Sequence, residues 1–333
     1  MILVVGGTGY VGRYFCCEMV QKGIDVLALG RSKAGLSFLS SHGVPTQYFD
    51  LDDERCFEAL PHEGVDAVIM LSACLAELEV PVRSFFDVNT LGVYKVLEWA
   101  HSHGITKVVV TSSHKLYNDV WKDVITEEDP VCFTGDHSPY IISKIAAENF
   151  VEYYNKDFGM KAVVLRLTGV HGYGEVLGHL EADGTYKKSA FEIFFEKILR
   201  AEPVEVWGDQ SIRRDHVYIR DVTNALLVAA QSGDTCGVFN IASGVAYSQL
   251  EEVQALIDVF SPEDKRSEVV LRPDLPGLTR GYCYSVEKAR EQLGWEPRYT
   301  DLRVLFSDYK KEWETKTFRN YHFFKEGQAP ATL

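Results

Sequence analysis

Basic residues are scarce in this sequence. It holds 34 lysines and arginines against 48 aspartates and glutamates, a formal net charge of −14, with no basic run and no basic-aromatic stripe. Nucleic acid is therefore not an expected partner, and an anionic ligand would need a local site of arginines or helix N-termini. Long apolar runs are missing as well: no stretch approaches the ~18–20 residues that a membrane span requires. The opening MILVVGGTGYVG has no basic segment ahead of its short apolar run. No membrane partner is expected, and the chain reads as cytoplasmic. The seven cysteines, at 16, 17, 56, 74, 132, 236 and 283, form no C-x-x-C pair. So odd and scattered a set reads as free thiols in a reducing compartment, with no metal site. Repeats and low-complexity tracts are absent too.

What is present is an alternation. Short apolar runs at 2–5, 25–29, 46–49, 66–71, 107–112 and 162–167 are separated by helical patterns such as VNTLGVYKVLEWAHSHG. Continuous apolar strands between helices imply a parallel sheet covered on both faces, an α/β doubly wound (Rossmann) fold with ligands at the carboxyl ends of its strands. The rhythm changes after residue 167, where GVHGYGEVLGHLEADGTYKKS reads as a long loop. The expectation is a dinucleotide-binding domain over 1–167, to which 215–243 returns. A smaller discontinuous substrate domain would comprise 168–214 and 244–320.

GGTGYVG sets Gly6, Gly9 and Gly12 between the first strand and an amphipathic helix. Glycines there allow a tight turn, close approach to a pyrophosphate and close helix packing, and the helix N-terminus faces the anion. The spacing is G-x-x-G-x-x-G rather than G-x-G-x-x-G, so the strand–loop–helix context carries the reading. Thr8, Tyr10 and Val11 belong to the same junction. The second strand ends in LGRS, with Gly30 where an acid would bind a ribose 2′-hydroxyl, then Arg31 and Ser32. An arginine there accommodates a 2′-phosphate, so NADP is favoured over NAD. Asp50 follows the third strand and is placed near the adenine edge, although a turn or capping role suits it equally.

SPYIISKIAAENF, 138–150, sets Tyr140 and Lys144 one helical turn apart. Such a pair is a common neighbour contact, a lysine stem on a half-buried tyrosine. It is also what a hydroxyl-deprotonating base requires. Tyrosine's ordinary pKa near ~10 is too high for efficient base catalysis, and a neighbouring ammonium lowers it.

GGTGYVG, DVNTLGVYKVLEWA, VVVTSSHKLY, SPYIISK, VLRLTGVHG, VWGDQSIRRDHVYIRDV, VFNIASG and EKAREQLGWEP occur in the order and spacing of the extended short-chain dehydrogenase/reductase family, nucleotide-sugar epimerase/dehydratase group. The chain resembles that family from Met1 to about Trp313. The resemblance implies Tyr140 as base, Lys144 on the nicotinamide ribose and Ser113 on the substrate oxygen. It adds Leu51, Leu71, Ser72, Ala73 and Asn89 as cofactor contacts, and Arg214 and Arg272 as ligands of the substrate diphosphate. Relatives usually dimerise through two helices, here 89–103 and 139–156, so a homodimer is implied.

Departures from the family pattern bear on the reaction. His114 and Lys115 stand where 4,6-dehydratases carry Asp-Glu, which argues against simple dehydration. Lys115 with His179 or His171 would serve as an acid/base pair beside a transient ketone; a solvated lysine and polar loop histidines fit the same positions. Cys74 and Glu77, in MLSACLAE, would lie near the nicotinamide or sugar. Gly169 replaces a usual asparagine. Three readings follow: a nucleotide-sugar epimerase, an NADP-dependent carbonyl reductase, and a dinucleotide-binding regulator without turnover.

Overall fold

The structure, a computed structural model, describes residues 1–75, 80–131, 138–174, 179–180, 186–262 and 264–318, with the side chains of 179, 180 and 186 outside that description. The strands, in chain order, are β1 Ile2–Val5, β2 Val26–Gly30, β3 Thr46–Tyr48, β4 Ala67–Met70, β5 Val108–Ser113, β6 Val163–Leu167, β7 Gly169–His171, β8 His179–Leu180, β9 Tyr186–Lys187, β10 Val204–Trp207, β11 Arg213–Tyr218, β12 Gly237–Ile241, β13 Ala246–Ser248 and β14 Val269–Arg272. The helices are α1 Tyr10–Gln21, α2 Lys33–Ser41, α3 Glu54–Glu58, α4 Val82–Phe85, α5 Gly92–Ser102, α6 Pro139–Phe158, α7 Ala190–Leu199, α8 Ile219–Ala230, α9 Gln249–Phe260 and α10 Leu302–Thr315. A π-helical segment, Phe86–Leu91, joins α4 to α5.

Seven strands form one parallel sheet in the order β12-β6-β5-β4-β1-β2-β3. Chain order reverses between β1 and β4, and the crevice at that switch point is where doubly wound sheets take their ligands. Alternate residues supply two cores, because successive strand side chains point to opposite faces. Ile2, Val4, Ile69 and Val109 pack against Tyr14, Phe15 and Met19 of α1 and Val222 and Leu226 of α8. Leu3, Val5, Val68, Met70 and Val110 pack against Val93, Val96 and Leu97 of α5 and Ala147 and Val151 of α6. The first core runs on without a break into Phe195, Phe260, Phe306 and Tyr309 of α7, α9 and α10.

The segment expected to be a loop after residue 167 contains three short strands, of which β8 and β9 pair antiparallel with each other. Its GVH stretch, β7, pairs in parallel with β11, and β13 pairs antiparallel on the other edge of β11. Three residues are too few to show a strand period by themselves; the pairing with β11 makes the strand. A further parallel pair joins β10 to β14. No described helix is long and apolar enough to cross a membrane.

Candidate active site

The glycine loop packs where a dinucleotide would need it. Gly6 has φ of +87°, and a Cβ there would lie 2.5 Å from the Ser72 backbone nitrogen at the end of β4. A Cβ at Gly12 would lie 2.6 Å from the Gly6 carbonyl oxygen and the Gly7 Cα. A side chain at Gly6 would push the loop off the β4 edge, and one at Gly12 would push α1 off the loop. Gly9 is the N-cap of α1, which has no side-chain cap and no acid in its first turn. Leu71 and Ser72 continue the β4 edge by donating from their backbone nitrogens to the Val5 carbonyl, at 2.8 and 3.2 Å, and Ala73 follows them.

Gly30 has a structural reason. A Cβ there would sit 2.5 Å from the Thr8 Oγ1, so Thr8, almost fully buried, fills the space an acidic residue would need. Ser32 caps α2, its hydroxyl accepting from the Gly35 nitrogen at 3.1 Å. The Arg31 side chain is 65% exposed and lies 3.8 Å from the Asp50 carboxylate. Asp50 also accepts from the Asp52 nitrogen at 3.1 Å, and Leu51 is buried beside it. Tyr10 reaches toward β7: a Cβ on Gly172 would fall on its hydroxyl. Val11 packs against the α1-side core.

Ser113, Tyr140 and Lys144 come together at the ends of β5 and α6. Ser113 ends β5 and caps the 3-10 turn His114–Tyr117, accepting from the Lys115 nitrogen at 3.2 Å. Ser138 caps α6 with Pro139 in its first turn, which fixes the entry angle for Tyr140. Lys144 is buried and donates to the Thr111 carbonyl at 2.9 Å. Burial pulls the Lys144 ammonium down to about 8, with Glu148 opposing. The ammonium of Lys115 lies 5.8 Å from the centre of the Tyr140 ring. Lys115 thus borders the tyrosine ring, and Lys144 lies one helical turn along α6 from it.

Behind them lies a buried polar layer. Arg166 on β6 grips Glu148, one turn along α6 from Lys144, at 3.0 Å from Nε and 2.6 Å from Nη2. Its Nη1 donates to the Tyr117 hydroxyl at 2.5 Å, and that hydroxyl donates to Asn240 at 2.9 Å. Asn89 is fully buried. Its amide accepts from the Cys74 nitrogen (2.8 Å) and donates to the Cys74 carbonyl (3.0 Å) and the Ser143 hydroxyl (3.0 Å), joining the β4 edge to α6. Cys74 is buried, and burial pushes its thiol up.

The substrate side departs more from expectation. Arg214 on β11 donates from Nε to the Arg280 carbonyl at 3.0 Å and lies over the Tyr282 ring. Arg272, on the separate β10-β14 sheet, is paired with Glu205 and Asp274, each at 3.2 Å. It would have to leave both carboxylates to take a diphosphate. His171 meets α9. It lies 3.2 Å from Glu252 of α9 and edge-on to His216, ring centres 4.6 Å apart. With Ser243, Tyr247, Tyr299, Leu302 and Leu305 these three line a small cavity. The side chain of His179 and all of Glu77 lie outside the described residues.

His216, Arg280 and Tyr284 were not singled out from the sequence. Gly169 was the available signal: a Cβ there would be 2.7 Å from His216 Nδ1, so the missing asparagine makes room for the histidine. Tyr284 shares a 2.9 Å hydrogen bond with His114 Nδ1, and burial pulls that imidazole down to about 3.

The chain belongs to the NAD-dependent epimerase/dehydratase family, whose model matches residues 2–242. It is 25% identical over 317 residues to the UDP-glucose 4-epimerase of Halalkalibacterium halodurans, covering 91% of this chain and 92% of that protein. It is also 25% identical over 324 residues to the dTDP-glucose 4,6-dehydratase of Xanthomonas campestris, covering 90% and 89%. The crystal structure of a Thermotoga maritima UDP-glucose 4-epimerase with UDP-glucose superposes with a TM-score of 0.71 at 26% identity, over 93% of this chain and 98% of that one. The chain is an enzyme of the epimerase/dehydratase type.

Proposed function

We propose that this family member epimerises a nucleoside-diphosphate sugar through transient oxidation of a ring hydroxyl, with Tyr140 as the base. The observation that carries the reading is Lys144, buried one helical turn from Tyr140 and bonded to the Thr111 carbonyl of the strand that ends in Ser113. The glycine cradle fits a dinucleotide, with Gly6, Gly9 and Gly12 admitting the pyrophosphate and Lys144 within reach of a ribose hydroxyl. A nicotinamide held by this cradle and Lys144 would supply reversible hydride acceptance at the ring carbon. Ser113 holds the reacting oxygen by hydrogen bond, and Tyr140 removes its proton as the carbonyl forms. The positive charge of Lys144 favours the phenolate form of Tyr140. On the return step Tyr140 gives the proton back to the oxygen, so proton and hydride balance over the cycle.

Lys115 decides which centre inverts. Its neutral amine, beside the Tyr140 ring, would remove a proton from the carbon next to the ketone. His179, with His171 at Glu252, is the expected donor that would return one from the opposite face and so invert that centre. Residues 168–214 and 244–320 supply the substrate side, with Arg214 as the diphosphate ligand. The two relatives named as UDP-glucose 4-epimerases make UDP sugars the first to test.

The test is mass spectrometry of small molecules released from freshly purified, denatured protein, followed by a panel of UDP-, dTDP- and GDP-sugars assayed for epimer formation in deuterated water. Retained dinucleotide with epimer formation, and no net cofactor consumption, supports the reading. Loss of solvent deuterium from the product of Lys115→Ala, with deuterium present in the wild-type product, assigns Lys115; unchanged incorporation removes it. A carbonyl reductase would consume NADPH stoichiometrically. The exposed guanidinium of Arg31 favours NADP over NAD; equal affinity for both cofactors, or preference for NAD, would sink that preference. The homodimer rests on apolar side chains left exposed on the segments expected to pair, Leu91, Tyr94, Ile142 and Tyr153. A monomeric mass by light scattering at micromolar concentration would overturn it.

A further inference from the structure

One residue is bonded both to the turn that carries Lys115 and to the arginine assigned to the diphosphate. The Arg280 side chain donates from Nη2 to the carbonyls of Tyr117 and Val120, at 2.8 and 2.7 Å, and from Nη1 to the carbonyl of Asn118. Its guanidinium also stacks on Trp121, 5.2 Å from the ring centre. Carbonyls at the end of a helical turn lack intrahelical partners, and a planar fork with five donors can reach several at once. A lysine cannot reproduce that geometry. The turn held in this way begins at Ser113 and contains His114 and Lys115.

The backbone carbonyl of the same residue accepts from Arg214 Nε. The segment that follows is bonded along both edges. On one side Tyr282 exchanges backbone hydrogen bonds with Arg213 and Asp215, at 2.9 and 3.0 Å. On the other, Cys283 accepts from Ile125 and Ser285 donates to Ile125, both at 2.8 Å. Tyr284 closes the link at its hydroxyl with His114. Residues 280–285 therefore form a strap between β11 and the loop downstream of Lys115.

We propose that Arg280 is a positioning residue that couples seating of the substrate diphosphate on Arg214 to the placement of Lys115 and Ser113 at the sugar. The inference rests on the nucleotide-sugar reading above. Binding energy from a remote part of the substrate raises turnover only when it orients the reacting centre, and the strap supplies a physical route for that. Truncating the side chain leaves the residue 280 carbonyl, and so the Arg214 contact, in place. The effects on binding and on turnover should therefore separate.

The experiment uses the full-length holoenzyme as wild type, Arg280→Met and Arg280→Lys. With the nucleotide sugar that the panel identifies, Arg280→Met should lower kcat 10- to 100-fold while KM stays within about threefold. Added guanidinium should restore part of kcat, and Arg280→Lys should not. In parallel UDP is titrated while Trp121 emission is followed, taken as wild type minus Trp121→Phe. A saturable change that disappears in Arg280→Met, although calorimetry still detects UDP binding, supports the coupling. A raised KM with kcat unchanged, a loss of kcat that guanidinium does not rescue, or a Trp121 response unchanged by the substitution, overturns it. A wild type that binds no UDP and turns over no sugar counts against the nucleotide-sugar reading. In that event unchanged amide exchange over residues 114–125 in Arg280→Met would overturn the positioning role on its own.

Discussion

Polar groups on the seven-stranded sheet and on the β13-β11-β7 sheet are held under different constraints. On the large sheet each acts from a long or fully paired element: Ser113 at the end of six-residue β5, Tyr140 and Lys144 on twenty-residue α6, Arg166 on central β6. Arg166 is balanced there by the Glu148 carboxylate, and Lys144 is held by the Thr111 carbonyl. On the small sheet, three-residue β7 and β13 flank β11, and the polar side chains there fit by mutual accommodation: His216 occupies space that Gly169 vacates, and His171 leans on Glu252. The common chemistry thus sits on elements whose position many backbone bonds determine. The parts that would tell one sugar from another sit where few such bonds exist, and where a change in one residue must be met by its neighbour.

The strongest way to break this comparison is Tyr140→Phe. If the large sheet is a preformed chemical platform, removing one hydroxyl should cost about 10²–10⁴ in kcat, while thermal unfolding and dinucleotide retention stay near wild type. Steady-state kinetics and a melting curve check it, and comparable activity would remove Tyr140 from the mechanism. Next in size is the layer beneath. Arg166→Met leaves Glu148 buried and unpaired and should destabilise the protein by about 3–5 kcal/mol in denaturant unfolding. A loss under 1 kcal/mol would mean that the pair is solvated in practice.

A smaller effect tests mutual accommodation directly. Gly169→Ala places a methyl against the His216 ring and should cost about 1–3 kcal/mol, the usual cost of overpacking. Combined with His216→Ala the costs should not add, since the second change removes the obstacle, and the interaction should reach about 0.5–3 kcal/mol. Strict additivity in a double-mutant cycle would show that the two strands are not co-adapted.

The same division explains what could be read from the residues alone. The parallel sheet and the Tyr140–Lys144 pair are read from apolar runs of four to six residues and from one helical spacing, and the glycine loop from a single strand–helix junction, signals that lie close together in the chain. Ser113 is read only from the family resemblance. Thr8 as the reason for Gly30 was not legible, because it depends on a contact between the ends of two different segments. Neither was β7, whose only support is pairing with β11, nor Arg280, whose partners are backbone carbonyls 160–163 residues away. Carbonyls leave no mark on the side-chain pattern. Arg272 shows the converse: the sequence motif gives the position but not the two carboxylates that already hold it.

Acid titration sharpens the contrast, because the small-sheet side holds the groups that charge first. Burial pulls both His114 and His216 down to about 3, the latter against His171 and Arg214, which lower it further, and Glu252, which opposes. Below the ordinary value near ~6.5 the unfolded chain binds two protons that the folded chain refuses, so stability falls as pH falls. Asp215 works the other way. Burial raises its carboxyl to about 6, despite hydrogen bonds from Ser243, Gly244 and Tyr284. Between pH 6 and its ordinary value near ~4 the folded state therefore takes up a proton that the unfolded state does not. The two histidines act alone from about pH 6.5 to 6, and below that one net proton remains, about 1.4 kcal/mol per pH unit. Chemical denaturation at pH 7, 6, 5 and 4.5 should show this slope, and His216→Asn should bring it close to zero below pH 6. Lys144 lies outside that window. Its pKa near 8 is below the ordinary lysine value, so its contribution to stability grows only as pH rises above 8. Stability that stayed flat from pH 6.5 to 4.5 in the wild type would mean that the histidines are protonated in the folded state, and that the cavity beside His216 is wet rather than packed.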